Sequence, residues 1–309
     1  MTMTRIRGGA AAPCRPLPGA SRFLMTFCSL MIGASCPKNL EAGEPTYVTV
    51  ENIPYRESGK GGEVTADMAK SCLLDLYYPE NLKDYPTLVW FHGGGLTGGE
   101  KAIPAKLKNR GIAVVSASYR LSPQVKSPAY VEDAAAAVAW TFRNIGKYGG
   151  SDRRIFVSGA SAGGYLALMV GMDKCYLQPY GIDANRIAGL LPLTPQTITH
   201  FTVRKERGIP EKQPVVDDMA PLYHVRADAP PIALVTGDRD LELLGRYEEN
   251  AYFWRMMRIA GHHRITLEEI KGADHPAVES PGCDLLLRSL GEINASIPAA
   301  APAPDLPAI

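Results

Sequence analysis

The chain has 309 residues, 46% of them hydrophobic and 21% charged, enough for one large buried core. Thirty-three Lys and Arg against 32 Asp and Glu leave a formal charge of +1. With no basic stripe, that balance removes the electrostatic case for a nucleic-acid partner. No apolar run reaches the length of a membrane span.

At the N-terminus Arg5, Arg7, Arg15 and Arg22 lead into an apolar run over 23–36 that ends in small residues. Residues 1–36 therefore read as a secretory signal peptide, with Met25 an alternative start, and the protein is expected to be secreted or periplasmic. Gly33-Ala34-Ser35-Cys36 resembles a lipoprotein cleavage box, although Gly33 stands where a larger aliphatic is expected. A lipidated Cys36 is thus the secondary reading. Of six cysteines, only Cys72, Cys175 and Cys283 clearly belong to the mature domain, so at most one disulfide can join them. Their spacing suggests no metal site, and buried free thiols are the expected state.

Residues 46–50 and 72–78 read as strands separated by a Gly-rich turn at 59–62. Residues 87–91 form a wholly apolar strand, the pattern of a sheet buried on both faces, which runs into His92-Gly93-Gly94-Gly95. A further buried strand at 112–116 leads to Tyr119-Arg120-Leu121-Ser122-Pro123. Val131, Ala135, Val138, Phe142 and Ile145 recur at helical spacing and predict an amphipathic helix over 130–146. Strands are expected at 187–191, 231–235 and 265–270. Helices are expected at 244–259, stopped by Gly261, and at 283–297. Strands alternating with helices predict an α/β domain over 37–297 with a mostly parallel central sheet and helices on both faces. The charged, proline-rich interval at about 196–229 has no clear period and reads as a small cap passing over the sheet's edge. The Pro/Ala tail at 298–309 has the composition of a disordered segment.

The chemistry centres on Gly159-Ala160-Ser161-Ala162-Gly163, a G-x-S-x-G sequence between a β-branched strand (Ile155, Val157) and an Ala/Leu-rich helix. Glycines two residues either side of a serine on a strained turn let neighbouring backbones approach, and the turn lifts the hydroxyl above the sheet. The Ala162 N–H, at the start of the helix, lies where a developing oxyanion would sit. A serine hydroxyl needs a base, and the base needs an orienting acid. The strand at 231–235 runs into Thr236-Gly237-Asp238-Arg239-Asp240, and that at 265–270 into Gly272-Ala273-Asp274-His275. Both sequences fall at carboxyl ends of strands, where open α/β sheets bind ligands.

With His92-Gly93-Gly94-Gly95, Tyr119-Arg120-Leu121-Ser122-Pro123, the serine motif and Gly272-Ala273-Asp274-His275 in this order, the chain resembles an α/β-hydrolase of the carboxylesterase type. It is similar to the hormone-sensitive-lipase-like esterases and to acetyl-xylan and feruloyl esterases, over roughly residues 46–296. The resemblance implies Ser161 as nucleophile, His275 as general base and acid, and Asp240 as the acid, preferred to Asp238 because it follows Gly237 by a short spacer. It implies backbone N–H groups of Gly94, Gly95 and Ala162 as the oxyanion hole, with His92 bracing their loop. Triad and oxyanion hole supply every group needed, so neither a cofactor nor a metal is implied. The hormone-sensitive-lipase-like members carry a helical cap before the first strand. Here strands begin soon after the signal, which leaves 196–229 to supply a small cap and an open site. A serine esterase acting on short acyl esters, acetyl or feruloyl groups on carbohydrate among them, is the reading that follows. An amide-cleaving hydrolase on the same triad and a non-catalytic hydrolase-like binding module are the alternatives.

His200 and His224 in the cap interval, and His262 and His263 at a helix end, are expected to be structural. Tyr247, Tyr252, Phe253 and Trp254 are expected to be core packing. Asn294-Ala295-Ser296 matches a glycosylation acceptor.

Overall fold

A computed structural model describes residues 44–56, 63–243 and 245–298. The signal-peptide and Cys36 readings lie outside the described residues, as do the 59–62 turn and the tail from 299. Eight strands form one sheet: β1 (Tyr47–Pro54), β2 (Leu73–Pro79), β3 (Tyr85–Phe91), β4 (Ala113–Ala117), β5 (Gly150–Ala160), β6 (Gly189–Leu193), β7 (Ile232–Gly237) and β8 (Ile265–Ile270). Their spatial order is β1-β2-β4-β3-β5-β6-β7-β8. β2 pairs antiparallel with β1 and β4, and every other pairing is parallel. The helices are α1 (Ala66–Ser71), α2 (Ala129–Asn144), α3 (Ala162–Met172), α4 (Phe201–Glu206), α5 (Arg246–Ile259) and α6 (Glu279–Ala295).

Alternation along the central strands divides the interior in two. Val89 and Phe91 of β3 face one core, shared with α2, α3 and α5; Leu88 and Trp90 face the other, shared with α6. All eleven residues of α3 are buried, so this helix has no polar face and is held entirely by the packing around it. Among the described residues no helix is long and apolar enough to cross a membrane.

Most expected elements occur within a few residues of their predicted bounds. β6 starts two residues later than the pattern suggests, because Ile187 still closes a short helical turn by donating to Ala184 O (3.1 Å). α6 starts four residues earlier than expected. Two short helices, α1 and α4, have no counterpart in the periodicity; each is six residues, too short to display one. Cys72 and Cys283 are buried free thiols, and Cys175 is free and exposed.

The interval at 196–229 joins β6 to β7, neighbouring interior strands of the sheet. Thr202 Oγ1 of α4 donates to Gly95 O (2.5 Å), which seats the excursion directly on the His92–Gly95 loop.

Candidate active site

Ser161 sits between β5 and α3 with φ 54° and ψ −112°, a strained geometry for a side-chain-bearing residue. Hydrogen bonds on both sides hold it: its N–H donates to Leu193 O (2.8 Å) and its carbonyl accepts from Tyr165 N–H (3.0 Å). The flanking glycines are packing requirements. A Cβ on Gly163 would lie 2.0 Å from Phe91 O, and one on Gly159 would lie 2.5 Å from the same oxygen.

His275 follows β8 and points both ring nitrogens at partners. Nε2 lies 2.9 Å from Ser161 Oγ, and Nδ1 makes a short contact with Glu242 Oε1. The carboxylate beside His275 is thus Glu242, and the expectation for Asp240 is corrected. The reason is a turn after β7: Asp238 O accepts from Leu241 N–H (2.9 Å) and Glu242 N–H (2.8 Å). That coil carries position 242 inward, where its carboxylate is 1% exposed, and leaves Asp240 on the outside. Asp238 has a different task, accepting from Asp240 N–H (3.0 Å) and from Gly272 N–H (2.8 Å), which ties the loop after β7 to the loop after β8.

Glu242 is anchored independently of His275. Oε2 accepts from Gly237 N–H (3.2 Å) and Oε1 from Leu243 N–H (2.9 Å). Burial works to raise its carboxyl pKa, but the hydrogen bonds from His275 and Leu243 outweigh that and hold it below the ordinary glutamate value. An ionised carboxylate on Nδ1 fixes the tautomer that leaves Nε2 free to accept the serine proton.

Gly94 and Gly95, expected to form part of an oxyanion hole, have φ of 107° and 64°, conformations that favour glycine. A Cβ on Gly94 would lie 2.1 Å from Gly98 O, and one on Gly95 would lie 2.9 Å from Phe201 Cζ. Among the described residues neither N–H donates to a protein acceptor, and both glycines line the same cleft as Ser161 and His275. Ala162 begins α3, immediately after the serine. His92 supports this loop from beneath: Nδ1 lies 2.7 Å from Gly93 O, and the ring stacks on Tyr119 at 4.3 Å. Tyr119 in turn donates to His92 O (2.8 Å). Burial lowers the His92 pKa, so the ring is neutral in this position.

The Tyr119–Pro123 sequence also has a structural reason in Arg120. Its guanidinium meets the fully buried Asp133 of α2 (Nε to Oδ2 2.8 Å, Nη2 to Oδ1 2.9 Å), and Arg56 reaches the same carboxylate. His200 is buried between Tyr165 and Phe201 and accepts from Thr202 N–H (3.2 Å) to cap α4. His224 and His262 bond to backbone carbonyls. Of the aromatic set on α5, Phe253 is core, Tyr252 is exposed, and Tyr247 lies under the Arg239 guanidinium (4.2 Å). Asn294 Oδ1 accepts from Arg154 (2.7 Å).

The BD-FAE family model matches residues 74–186, which hold the Gly93–Gly95 loop and the serine turn. Esterase LipC of Mycobacterium tuberculosis is 28% identical over 239 residues, covering 69% of this chain and 57% of LipC. Carboxylesterase NlhH of the same species is 35% identical over 101 residues, 31% of this chain and 32% of NlhH. The chain spans about half the length of the first curated relatives it matches (57%, 56% and 49%). Among solved structures, a truncated form of a carbohydrate esterase from gut microbiota superposes with a TM-score of 0.67 at 18% identity, over 82% of this chain and 98% of that one. A Pyrobaculum calidifontis esterase gives 0.59 at 22% identity, over 82% and 88%. The fold is that of the α/β-hydrolases. In sequence the chain is similar to carboxylesterases over part of its length.

Proposed function

We propose that this protein is a serine carboxylic-ester hydrolase working through an acyl-enzyme on Ser161, with His275 as base and acid and Glu242 as the orienting acid. The observation that carries this reading is the chain of contacts from Ser161 Oγ to His275 Nε2 (2.9 Å) and from His275 Nδ1 to Glu242. Ser161 Oγ attacks the acyl carbon while His275 Nε2 takes the proton. Negative charge develops on the carbonyl oxygen, which the N–H groups of Gly94, Gly95 and Ala162 stabilise; one such donor typically contributes about 3–4 kcal/mol. The C–O bond then breaks, His275 returns the proton to the departing alcohol, and water repeats the sequence on the acyl-enzyme.

The acyl group is short and the alcohol bulky. The cleft at Ser161 has a volume of about 380 Å³ and adjoins a larger cavity, Phe201 and Leu243 lining both. A carbohydrate ester fits this division. The similarity to a carbohydrate esterase supports it, as does the signal-like N-terminus, which suits a secreted or periplasmic enzyme facing polysaccharide. Hydrolysis of p-nitrophenyl acetate, butyrate and decanoate by the wild type and by Ser161→Ala tests the proposal. Expected are rates falling with chain length and loss of turnover in the variant. A decanoate preference would overturn the short-acyl assignment, and equal rates in both proteins would overturn the serine mechanism.

A further inference from the structure

Adjoining the Ser161 cleft, with Phe201 and Leu243 lining both, is a cavity of about 770 Å³ also lined by Gln196, Ile198, Pro214 and the charged residues Arg204, Arg246 and Glu249. Two of the three satisfy each other. Arg246 Nε lies 2.9 Å from Glu249 Oε1, and Arg246 also donates to Thr194 O. The Glu249 carboxylate is thus engaged by Arg246 rather than by Arg204, although burial pushes its carboxyl up to about 7. Glu211 and Lys212 at the rim are both exposed and opposite in sign.

Arg204 is the remainder. It is 5% exposed, on α4, the helix that packs on Gly95. Nη1 donates to Gln213 O (2.7 Å) and Nε is buried without a partner. Among the described residues Nη2 has no acceptor, and no carboxylate lies within ion-pair distance of the guanidinium. A buried arginine without a carboxylate is costly, and the usual resolution is a bidentate planar oxyanion.

We infer that this cavity is a subsite for a carboxylate on the alcohol portion of the substrate, held by Arg204 while the small acyl group occupies the cleft at Ser161. The inference rests on the esterase reading above and narrows it to esters of carboxylate-bearing alcohols, the chemistry of acidic sugars and hydroxybenzoic acids. The placement of the alcohol in the larger cavity follows from the short-acyl reading proposed above and from Arg204 lining that cavity.

The test separates binding from turnover. The full chain carrying Ser161→Ala is titrated calorimetrically with 4-acetoxybenzoate and with its neutral isostere 4-acetoxybenzamide. The carboxylate is expected to bind about tenfold tighter, the worth of one charge-assisted hydrogen bond. Adding Arg204→Gln should bring the two affinities within about twofold, whereas Arg204→Lys should keep part of the preference; melting curves check that each variant folds. Equal affinities in the Ser161→Ala protein would overturn the subsite whatever Arg204→Gln does. A preference unaffected by Arg204→Gln in a folded protein would also overturn it. Carboxylate selectivity confined to mono-p-nitrophenyl glutarate over p-nitrophenyl butyrate would overturn the alcohol-side placement. Failure of the wild type to hydrolyse p-nitrophenyl acetate, by contrast, would count against the esterase reading while the titration still decides the subsite.

Discussion

Three carboxylates follow β7 within five residues, and the backbone decides among them. Asp238 is turned back to staple two loops, Asp240 faces solvent, and Glu242 alone reaches His275. Glu242→Gln should therefore lower kcat on p-nitrophenyl acetate by about 10³- to 10⁴-fold, the cost of losing the carboxylate that sets the imidazole tautomer. Asp240→Asn should change it by less than about twofold. The same carboxylate gives a pH signature. Its folded pKa lies below the unfolded value, so its ionised form stabilises the fold fully above about pH 4.5, and that contribution is lost as pH falls through the depressed folded value. Denaturant titrations at pH 7 and pH 3 should show the gap between wild type and Glu242→Gln narrowing at the lower pH. Serine and histidine were legible in the sequence because each sits beside an end of a strongly patterned strand. The carboxylate beside His275 was not, because a Gly-spacer rule counts residues, whereas the Asp238 O turn determines which side chain faces inward.

At the level of elements, the serine turn works because β3, β5 and α3 approach more closely than any side chain permits. Gly163→Ala forces a methyl to 2.0 Å from Phe91 O, a backbone atom within a paired strand. Its melting temperature should fall by an amount equivalent to about 3 kcal/mol or more, beyond ordinary overpacking, which costs about 1–3 kcal/mol. Elements read best where their periodicity was long or their apolar runs continuous, as in β3, α2 and α5. α4 escaped because six residues with Thr202, Val203 and Arg204 all buried present no helical stripe. Its position on Gly95 is a tertiary fact. It brings Phe201 and Arg204 to the site, and neither had a sequence signal beyond lying in the interval assigned to the cap.

Across the whole molecule, distant segments are tied by one buried charge cluster. Asp133 of α2, fully buried, holds Arg120 from the loop after β4 and Arg56 from just past β1. Asp133→Asn would strand two guanidinium groups, and removing one partner of such a cluster costs about 3–5 kcal/mol. Chemical denaturation should report a loss of that size. Because Arg120 lies beside Tyr119, which stacks on His92 next to the Gly93–Gly95 loop, activity should fall with it.

Activation of Ser161 by His275 and Glu242 is tested by the rate at which diethyl p-nitrophenyl phosphate labels the protein, followed by mass spectrometry of the peptide containing residue 161. Expected is a single phosphorylated site at Ser161, labelled rapidly in the wild type and in Asp240→Asn and at least 10²-fold more slowly in Glu242→Gln, on the order expected when the tautomer is lost. Labelling at another residue, or equal rates in the wild type and Glu242→Gln, would contradict it.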